Sequence, residues 1–231
     1  MLFRFLGTAA AEGWPALFCG CPACVRARAL GGPDVRTRSQ SLLDGSVLFD
    51  FPCDTYRHVL DAPFDLSAVE LLLVTHPPQD HLYPAELALR GAPYAHDPVS
   101  PTLHVAGGQG VLARIRAELE LDGGTLTGVV LHRLEAYRPA TLCETKILPI
   151  PARHMPGADA FCYAVERRGV RVLYLHDTGE DILEALAPLR GTSFDLISFD
   201  CCFGLRETAR DGGHMGLPNV VRLRGALYEL G

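Results

Sequence analysis

The sequence has no long apolar run, no basic run and no low-complexity stretch. A membrane-spanning helix needs about 18 consecutive apolar residues, so the 231-residue chain is not predicted to cross a membrane. The formal net charge of −6 argues against nucleic-acid binding through charge alone. The apolar N-terminus MLFRFLGTAA is too short for a secretory signal peptide, and no stretch resembles a linker. These absences predict a single cytoplasmic domain over residues 1–231.

Cysteine, by contrast, is plentiful, with eight residues. In a cytoplasmic chain of this length, cysteines are more often buried apolar side chains or metal ligands than disulfide partners. Cys19, Cys21 and Cys24 lie close together in the sequence, which suits a structural zinc ion with tetrahedral thiolate ligands. The alternative is a reduced loop that touches solvent. Cys201 and Cys202 follow a buried strand, and we expect them to lie in the core.

Apolar runs of strand length dominate the chain, and helical patterns follow strands in both halves. VELLLVTH (69–76) and FDLISFD (194–200) are typical of buried strands, and Asp44-Gly45 between two apolar runs predicts a tight hairpin. EDILEALAPLRG (180–191) has the apolar spacing of a helix. The pattern predicts an α/β protein in which two mixed β-sheets pack between outer helices, a four-layer αββα sandwich.

Histidine and aspartate collect where the predicted strands end. His76 ends one strand, His154 follows another, and Asp177 comes directly after RVLYLH. His214 lies in the glycine-flanked DGGHMG. One histidine at a strand end is usually satisfied by a carbonyl or by water, but several such ends with carboxylates indicate a metal site. Imidazole and carboxylate together suit zinc, manganese or iron.

Six segments, in this order, resemble the motifs of the metallo-β-lactamase-fold hydrolases. The likeness is greatest to the branch that contains the cyclic phosphodiesterases of phosphonate breakdown and the tRNA-processing ribonuclease Z. It extends over essentially the whole chain and implies the four-layer fold predicted above. The segments are FLGTAAAEGWP (5–15), FCGCPACVRAR (18–28, the cysteine insert), THPPQDH (75–81), RHMPG (153–157), LHDTG (175–179) and GGHMG (212–216).

The resemblance implies a binuclear metal centre of zinc or manganese. His76 and His154 would hold one ion. Asp80 and His81 would hold the other, and Asp177 would bridge the two. In such enzymes a metal-held hydroxide attacks the substrate, and Asp80 would also orient the attacking water.

Two departures from the family pattern weaken the implied site. The second histidine of the His-x-His-x-Asp-His signature is replaced by Pro78, which offers no ligand. The family's later His-x-x-His segment, which also completes the cysteine site in similar phosphodiesterases, has no counterpart in this C-terminally short chain. We therefore expect one ligand to be lost from each ion, with weakened or single-metal occupancy. The alternative is a site that binds no metal.

The resemblance also implies a function. His214 would contact the phosphate or donate a proton to the leaving oxygen, and the alternative is a helix-capping or surface histidine. The sequence thus predicts a metal-dependent phosphodiesterase acting on a small, linear or cyclic phosphodiester. A non-catalytic or metal-poor relative, or a fragment, stays open as an alternative, as do a lactonase and a thioesterase. We expect a small-molecule substrate as partner, with a homodimer left open.

Overall fold

The computed structural model describes residues 2–120, 126–155, 157 and 159–230. The chain divides into two compact units: unit 1 is Met1–Ala106 with Val111–His132, and unit 2 is Gly107–Gly110 with Arg133–Gly231. The single domain expected over residues 1–231 stays a prediction. Pro156 of the RHMPG motif lies outside the described residues.

Unit 1 is built on a mixed sheet of six strands in the order β1-β2-β3-β4-β5-β6. The first three strands pair antiparallel, whereas β3, β4 and β5 pair parallel. The predicted hairpin at Asp44-Gly45 is confirmed, since both residues have the positive φ, 53° and 75°, that a tight turn requires. The strands are β1 (Phe3–Gly7), β2 (Gln40–Leu43), β3 (Val47–Phe49), β4 (Leu71–Leu73), β5 (Leu103–Gly107) and β6 (Val129–Arg133).

Among the described residues of the first part of the chain, the α-helices are α1 (Pro22–Leu30), α2 (Thr55–Asp61) and α3 (Gln109–Glu118). The stretch Pro84–Arg90 begins with a proline and is followed by Gly91, as many α-helices are, but it forms a 3-10 helix. Alternate side chains of the sheet form the core of the unit, because successive residues of a strand point to opposite faces. This core joins Leu48, Leu72 and Val105 to Val111 and Ile115 of α3.

Unit 2 contains a five-stranded mixed sheet in the order β11-β10-β9-β8-β7. Strands β7 to β10 form an antiparallel meander, and β11 pairs parallel with β10. Leu173 and Leu175 of β10 pack with Leu223 in the core. The strands are β7 (Ala140–Leu142), β8 (Thr145–Pro151), β9 (Phe161–Arg167), β10 (Val170–Leu175) and β11 (Leu196–Phe199), followed or interrupted by helices α4 (Ile182–Ala185) and α5 (Leu217–Leu230).

Two local expectations are corrected. The helix predicted over residues 180–191 is only α4 plus a 3-10 turn at Ala187–Leu189, because Pro188 has no N–H to continue the helix and its ring clashes with an earlier carbonyl. The core position expected for Cys201 and Cys202 is wrong: both are exposed, because β11 ends at Phe199 and the chain turns outward.

Two mixed sheets with associated helices confirm the predicted α/β class. In the part of the chain that the structure describes, no helix combines the length and the apolar character needed to cross a membrane.

Candidate metal centre

A group of polar side chains is buried in unit 1, where strands β3 and β4 end. These strands are parallel neighbours, so the residues that follow them meet at the same edge of the sheet. Asp50 follows β3, and its backbone N–H donates to the carbonyl of Leu73. We call the group the buried cluster: Asp50, Thr75, His76 and His81, none of them more than 2% exposed.

The carboxylate of Asp50 organises the buried cluster. Its Oδ1 accepts hydrogen bonds from the backbone N–H and the hydroxyl of Thr75, each at 2.8 Å. Its Oδ2 lies 2.8 Å from Nδ1 of His81. The hydroxyl oxygen of Thr75 lies 2.9 Å from Nδ1 of His76. Every oxygen of this carboxylate therefore has a donor within hydrogen-bonding distance.

These contacts determine where the protons sit on both imidazoles. The hydroxyl proton of Thr75 goes to Asp50, so the hydroxyl oxygen accepts from Nδ1 of His76. An ionised Asp50 likewise requires the proton of His81 on Nδ1. In the neutral form, each ring then carries its lone pair on Nε2, the arrangement found in histidines that bind metal while donating to a carboxylate. The residues present fit a divalent ion such as zinc or manganese.

The turn between the two histidines brings Asp80 beside His81. Oδ2 of Asp80 lies 3.5 Å from Nε2 of His81, on the side of the ring that would face an ion. The carbonyl of Pro78 accepts from the backbone N–H groups of His81 and Leu82, at 3.0 and 2.8 Å. Pro78 thus shapes the turn through its carbonyl, although it offers no ligand.

Asp50 and its role are missing from the expectations drawn from the sequence. The sequence signal that could have found Asp50 was a carboxylate directly after an apolar strand, in LFDF. In the structure this residue has a positive φ of 63°. A charged residue is rarely fully buried unless it is paired. Without the parallel pairing of β3 and β4, however, nothing in the sequence connects Asp50 to His81.

A second polar group lies in unit 2, in the loops that follow β8, β10 and β11. We call it the open cluster: His154, Asp177, Asp200 and His214. The side chains of His154 and His214 are 20% and 25% exposed, so this cluster meets solvent. The backbone of Asp177 has the left-handed conformation, with φ of 50°.

The open cluster brings three candidate ligand residues, two imidazoles and one carboxylate, to short range. One ligand atom from each of His154, Asp177 and His214 lies within 4.8 Å of the other two. Nε2 of His154 is 3.9 Å from Oδ2 of Asp177, and its Nδ1 is 3.2 Å from the carbonyl of Gly213. Donation from Nδ1 to that carbonyl leaves the lone pair of His154 on Nε2. This donor set also fits a divalent ion.

His214 is held by a carboxylate that the sequence did not reveal. Nδ1 of His214 lies 2.7 Å from Oδ2 of Asp200, whose side chain is 3% exposed. The other oxygen, Oδ1, accepts from the backbone N–H groups of Cys202 and Met215, at 3.0 and 3.1 Å. The ring centroids of His154 and His214 are 4.6 Å apart.

The three thiols of the cysteine insert also lie together, within unit 1. The sulfurs of Cys19, Cys21 and Cys24 are within 4.8 Å of one another. Cys21 caps the N-terminus of α1, and hydrogen bonds from the Cys24 backbone and the Cys19 side chain lower the pKa of its thiol to about 7. A thiolate at this position favours zinc. Zinc binding itself stays a prediction.

The predicted site residues are thus distributed between two groups. His76, Asp80 and His81 are close together in unit 1, and His154, Asp177 and His214 are close together in unit 2. Convergence of the five predicted metal ligands on one centre stays a prediction.

Comparison with known proteins identifies the family. The profile described as "Beta-lactamase superfamily domain" matches residues 47–228. Among solved structures, a diphosphatase from the PhnP family is similar with a TM-score of 0.71, 20% identity and coverage of 98% of this chain and 82% of that one.

Two further structures show the same fold at low identity. Zn²⁺-bound PqqB from Methylobacterium extorquens has a TM-score of 0.70 at 19% identity, covering 94% of this chain and 81% of that one. The short form of human tRNase Z has a TM-score of 0.62 at 18% identity, covering 97% and 87%. No curated protein sequence matches the chain. With its two mixed sheets and its histidine and aspartate groups at strand ends, the chain belongs to the beta-lactamase superfamily and has the metallo-β-lactamase fold.

Proposed function

We propose that the protein is a metal-dependent phosphodiesterase that acts on a small phosphodiester. Membership of the superfamily supports a metal-dependent hydrolase in general terms. The narrower proposal depends chiefly on the pairing of His214 with Asp200, which equips the open cluster for proton transfer to an oxygen leaving group. Two similar structures, a diphosphatase and tRNase Z, are named as enzymes of phosphate-containing substrates.

The ligands in this proposal come from both clusters. His76, Asp80 and His81 would contribute from unit 1, and His154 and Asp177 from unit 2, to hold one or two ions of zinc or manganese. The basis is the family order of the motifs and the Nδ1 contacts that leave Nε2 lone pairs on the three histidines. When bound, such an ion supplies Lewis acidity and lowers the pKa of coordinated water.

The chain's own residues perform the remaining tasks. The Asp200 carboxylate fixes the proton of His214 on Nδ1 and stabilises the imidazolium form, as the aspartate does in hydrolase triads. A charged His214 can then protonate the leaving oxygen of a phosphodiester from Nε2. Asp80 orients the attacking water through its carboxylate, which lies beside His81.

One observation favours a second candidate, a metal-poor relative without catalytic activity. Pro78 occupies the position of a family ligand. Its carbonyl accepts hydrogen bonds within the turn that positions His81. Loss of one ligand lowers metal affinity, so the protein could retain the fold and lose the reaction.

The test combines elemental analysis with hydrolysis assays on the purified protein. With added Mn²⁺ or Zn²⁺ we expect hydrolysis of bis-p-nitrophenyl phosphate in preference to a lactone or a thioester. His214→Gln should lower kcat by about 100-fold or more, the usual contribution of a general acid. His96→Gln, at an exposed position outside both clusters, is the matched control.

Each other outcome contradicts part of the proposal. Metal binding with turnover of only lactones or thioesters would reject the phosphodiester assignment. Failure to retain metal at millimolar concentration would favour the metal-poor relative. An unchanged kcat in His214→Gln would remove His214 from the reaction.

A further inference from the structure

Unit 1 contains an apolar cavity between the outer helices and the sheet. It has a volume of about 260 Å³ and lies among α2, the 3-10 helix Pro84–Arg90 and the ends of β3, β4 and β5. Leu48, Leu72 and Leu103 contribute its floor from the three strands. The cavity is separate in sequence from the motifs that carry the family resemblance.

The wall of the cavity is almost entirely hydrocarbon. Helix α2 supplies Tyr56 and Val59, and the 3-10 helix supplies Leu87 and Leu89. An apolar cavity of this kind gains little from water, because water needs two or more polar partners to be held there. The chemistry of the wall therefore suits an apolar ligand.

Glu86 is one of three polar residues in this wall, with Ser67 and Arg90. Its side chain lines the cavity and is half-buried. Among the residues that the structure describes, no hydrogen bond or ion pair reaches its carboxylate. Burial raises the pKa of this carboxyl, because it loses hydration. A half-buried acid without a counter-ion, at an apolar wall, is a place where a ligand cation would be stabilised.

Arg90 also lines the cavity but does not serve as that counter-ion. Its Nη2 donates to the carbonyl of Ser100 at 2.6 Å, and its Nε donates to the carbonyl of Gly128 at 3.0 Å. These bonds fix the guanidinium on backbone oxygens. The carboxylate of Glu86 thus stays available on the cavity side.

We propose that this cavity binds a small amphiphilic cation, whose apolar chain fills the space and whose ammonium group lies beside Glu86. At about 30 Å³ for each water-sized group, the volume holds an apolar chain of roughly eight methylene-sized units. The apolar wall selects for hydrocarbon, and the carboxylate selects an amine over an alcohol or a carboxylic acid of equal length.

The cavity is connected to the buried cluster through one short segment. Phe51 lines the cavity, and its backbone N–H donates to the carbonyl of His81 at 2.7 Å. Its own carbonyl accepts from Tyr83, also at 2.7 Å, and Asp50 precedes it in the chain. A ligand that displaces Phe51 therefore acts directly on the segment that positions His81.

Calorimetric titration of the full chain with n-heptylamine, n-heptanol and heptanoate at neutral pH tests the proposal. We expect the amine to bind most tightly and heptanoate most weakly. Shortening the amine should weaken binding by about fourfold per methylene removed, the value for burial of one CH₂. Glu86→Gln should weaken amine binding by about fivefold, the upper range for a partly exposed ion pair, and leave heptanol unchanged.

Two variants control for non-specific attraction of amines to an acidic protein. Glu118→Gln removes a charge outside the cavity, where Glu118 lies 3.5 Å from Arg114, and should leave amine affinity unchanged. Ala95→Phe places a ring in the cavity wall and should abolish binding of both amine and alcohol. Equal affinity for amine and alcohol, equal loss in Glu86→Gln and Glu118→Gln, or no binding of any probe would each overturn the proposal.

Discussion

In unit 1 the side chain of His81 is 3% exposed, and both imidazoles of the buried cluster make hydrogen bonds to side chains. In unit 2, His154 is 20% exposed and makes its Nδ1 contact with a backbone carbonyl, that of Gly213. The two groups use similar residue types but differ in how the rings are oriented. Asp50 and Thr75 are fixed by neighbouring strands, whereas Gly213 lies in a loop and has φ of 74°.

This difference separates a preorganised group from an adaptable one. Buried polar networks are rigid when every member is satisfied, and each lost partner is costly in a region without water. Loops open locally at lower free energy than strands do. We therefore expect substitutions in the buried cluster to act mainly on metal affinity, and substitutions around the open cluster to act on local stability and on turnover.

The largest effect is expected from Asp50→Asn. An amide cannot accept from all three donors of Thr75 and His81 that now face the carboxylate, so at least one ring loses its orientation. Metal affinity should fall by about 10- to 100-fold, as for other carboxylates that position metal-binding histidines. Titration calorimetry with Zn²⁺ or Mn²⁺ measures this metal affinity.

Asp97→Asn is a suitable control for that experiment. Asp97 also has a positive φ, 46°, so its substitution strains the backbone to a similar degree. Its side chain is exposed and lies outside the buried cluster. Equal metal affinity in Asp50→Asn and the unmodified protein would mean that the buried cluster does not bind metal.

A smaller effect, of opposite sign, is expected from Pro78→His. The new imidazole would stand two residues from His76, where the family has a ligand. The turn should survive, because Pro78 contributes to it a carbonyl that every residue has. We expect metal affinity to rise by about 10-fold, the lower end of what one ligand partner contributes.

Pro77→His provides the comparison, since it adds the same side chain one residue away. A gain in both variants would indicate non-specific metal capture by an added histidine. No gain in Pro78→His would mean that the site lost its metal affinity for reasons beyond this position.

The smallest effect is expected at Glu180, which anchors the loop after Asp177 to helix α5. Its carboxylate accepts from Arg222 at 2.6 Å and from Asn219 at 2.8 Å, and the pKa of the carboxyl is lowered, chiefly by the bond from Arg222. A lowered folded-state pKa gives stability that is present above the unfolded value, about 4.3, and is lost as pH falls through the folded value.

Glu180→Gln should therefore lower the free energy of unfolding by about 1–2 kcal/mol at neutral pH. The loss should shrink near pH 3, which is below the unfolded-state pKa of about 4.3. Urea denaturation at neutral pH and at pH 3 measures the free energy of unfolding of the variant and of the unmodified protein. Glu184→Gln, at a side chain 83% exposed, should cost less at either pH. An equal cost of Glu180→Gln at both pH values would contradict an ionic role.

The sequence predicted the strands and the histidines that follow them because those signals are local. Apolar runs defined β4, β10 and β11, and the imidazoles stood directly beyond the runs or in glycine-flanked turns. The carboxylates Asp50 and Asp200 could not be predicted in their roles. Each contacts a histidine far away in the chain, His81 or His214, and only the pairing of strands or the folding of a loop brings them together.

Helix boundaries were predicted less well for a related reason. The segment Pro84–Arg90 has helix-like ends yet forms a 3-10 helix, and α1 arises in the cysteine insert, where the sequence suggested only a metal loop. Short helices gain most of their stability from tertiary packing, so their type is decided by the surface that they cover.

The order of the strands also bears on how the chain folds. In unit 2, β8, β9 and β10 pair with their neighbours in sequence, and Arg168-Gly169 closes one of these hairpins. In unit 1 the parallel pairs β3–β4 and β4–β5 join segments separated by long crossovers. Local pairing closes small loops and is fast, whereas parallel pairing must first overcome the entropy of long loops. We therefore expect the meander to form early and the parallel strands late, so that a refolding chain brings His76 and His81 together only after much of unit 2 is protected from hydrogen exchange.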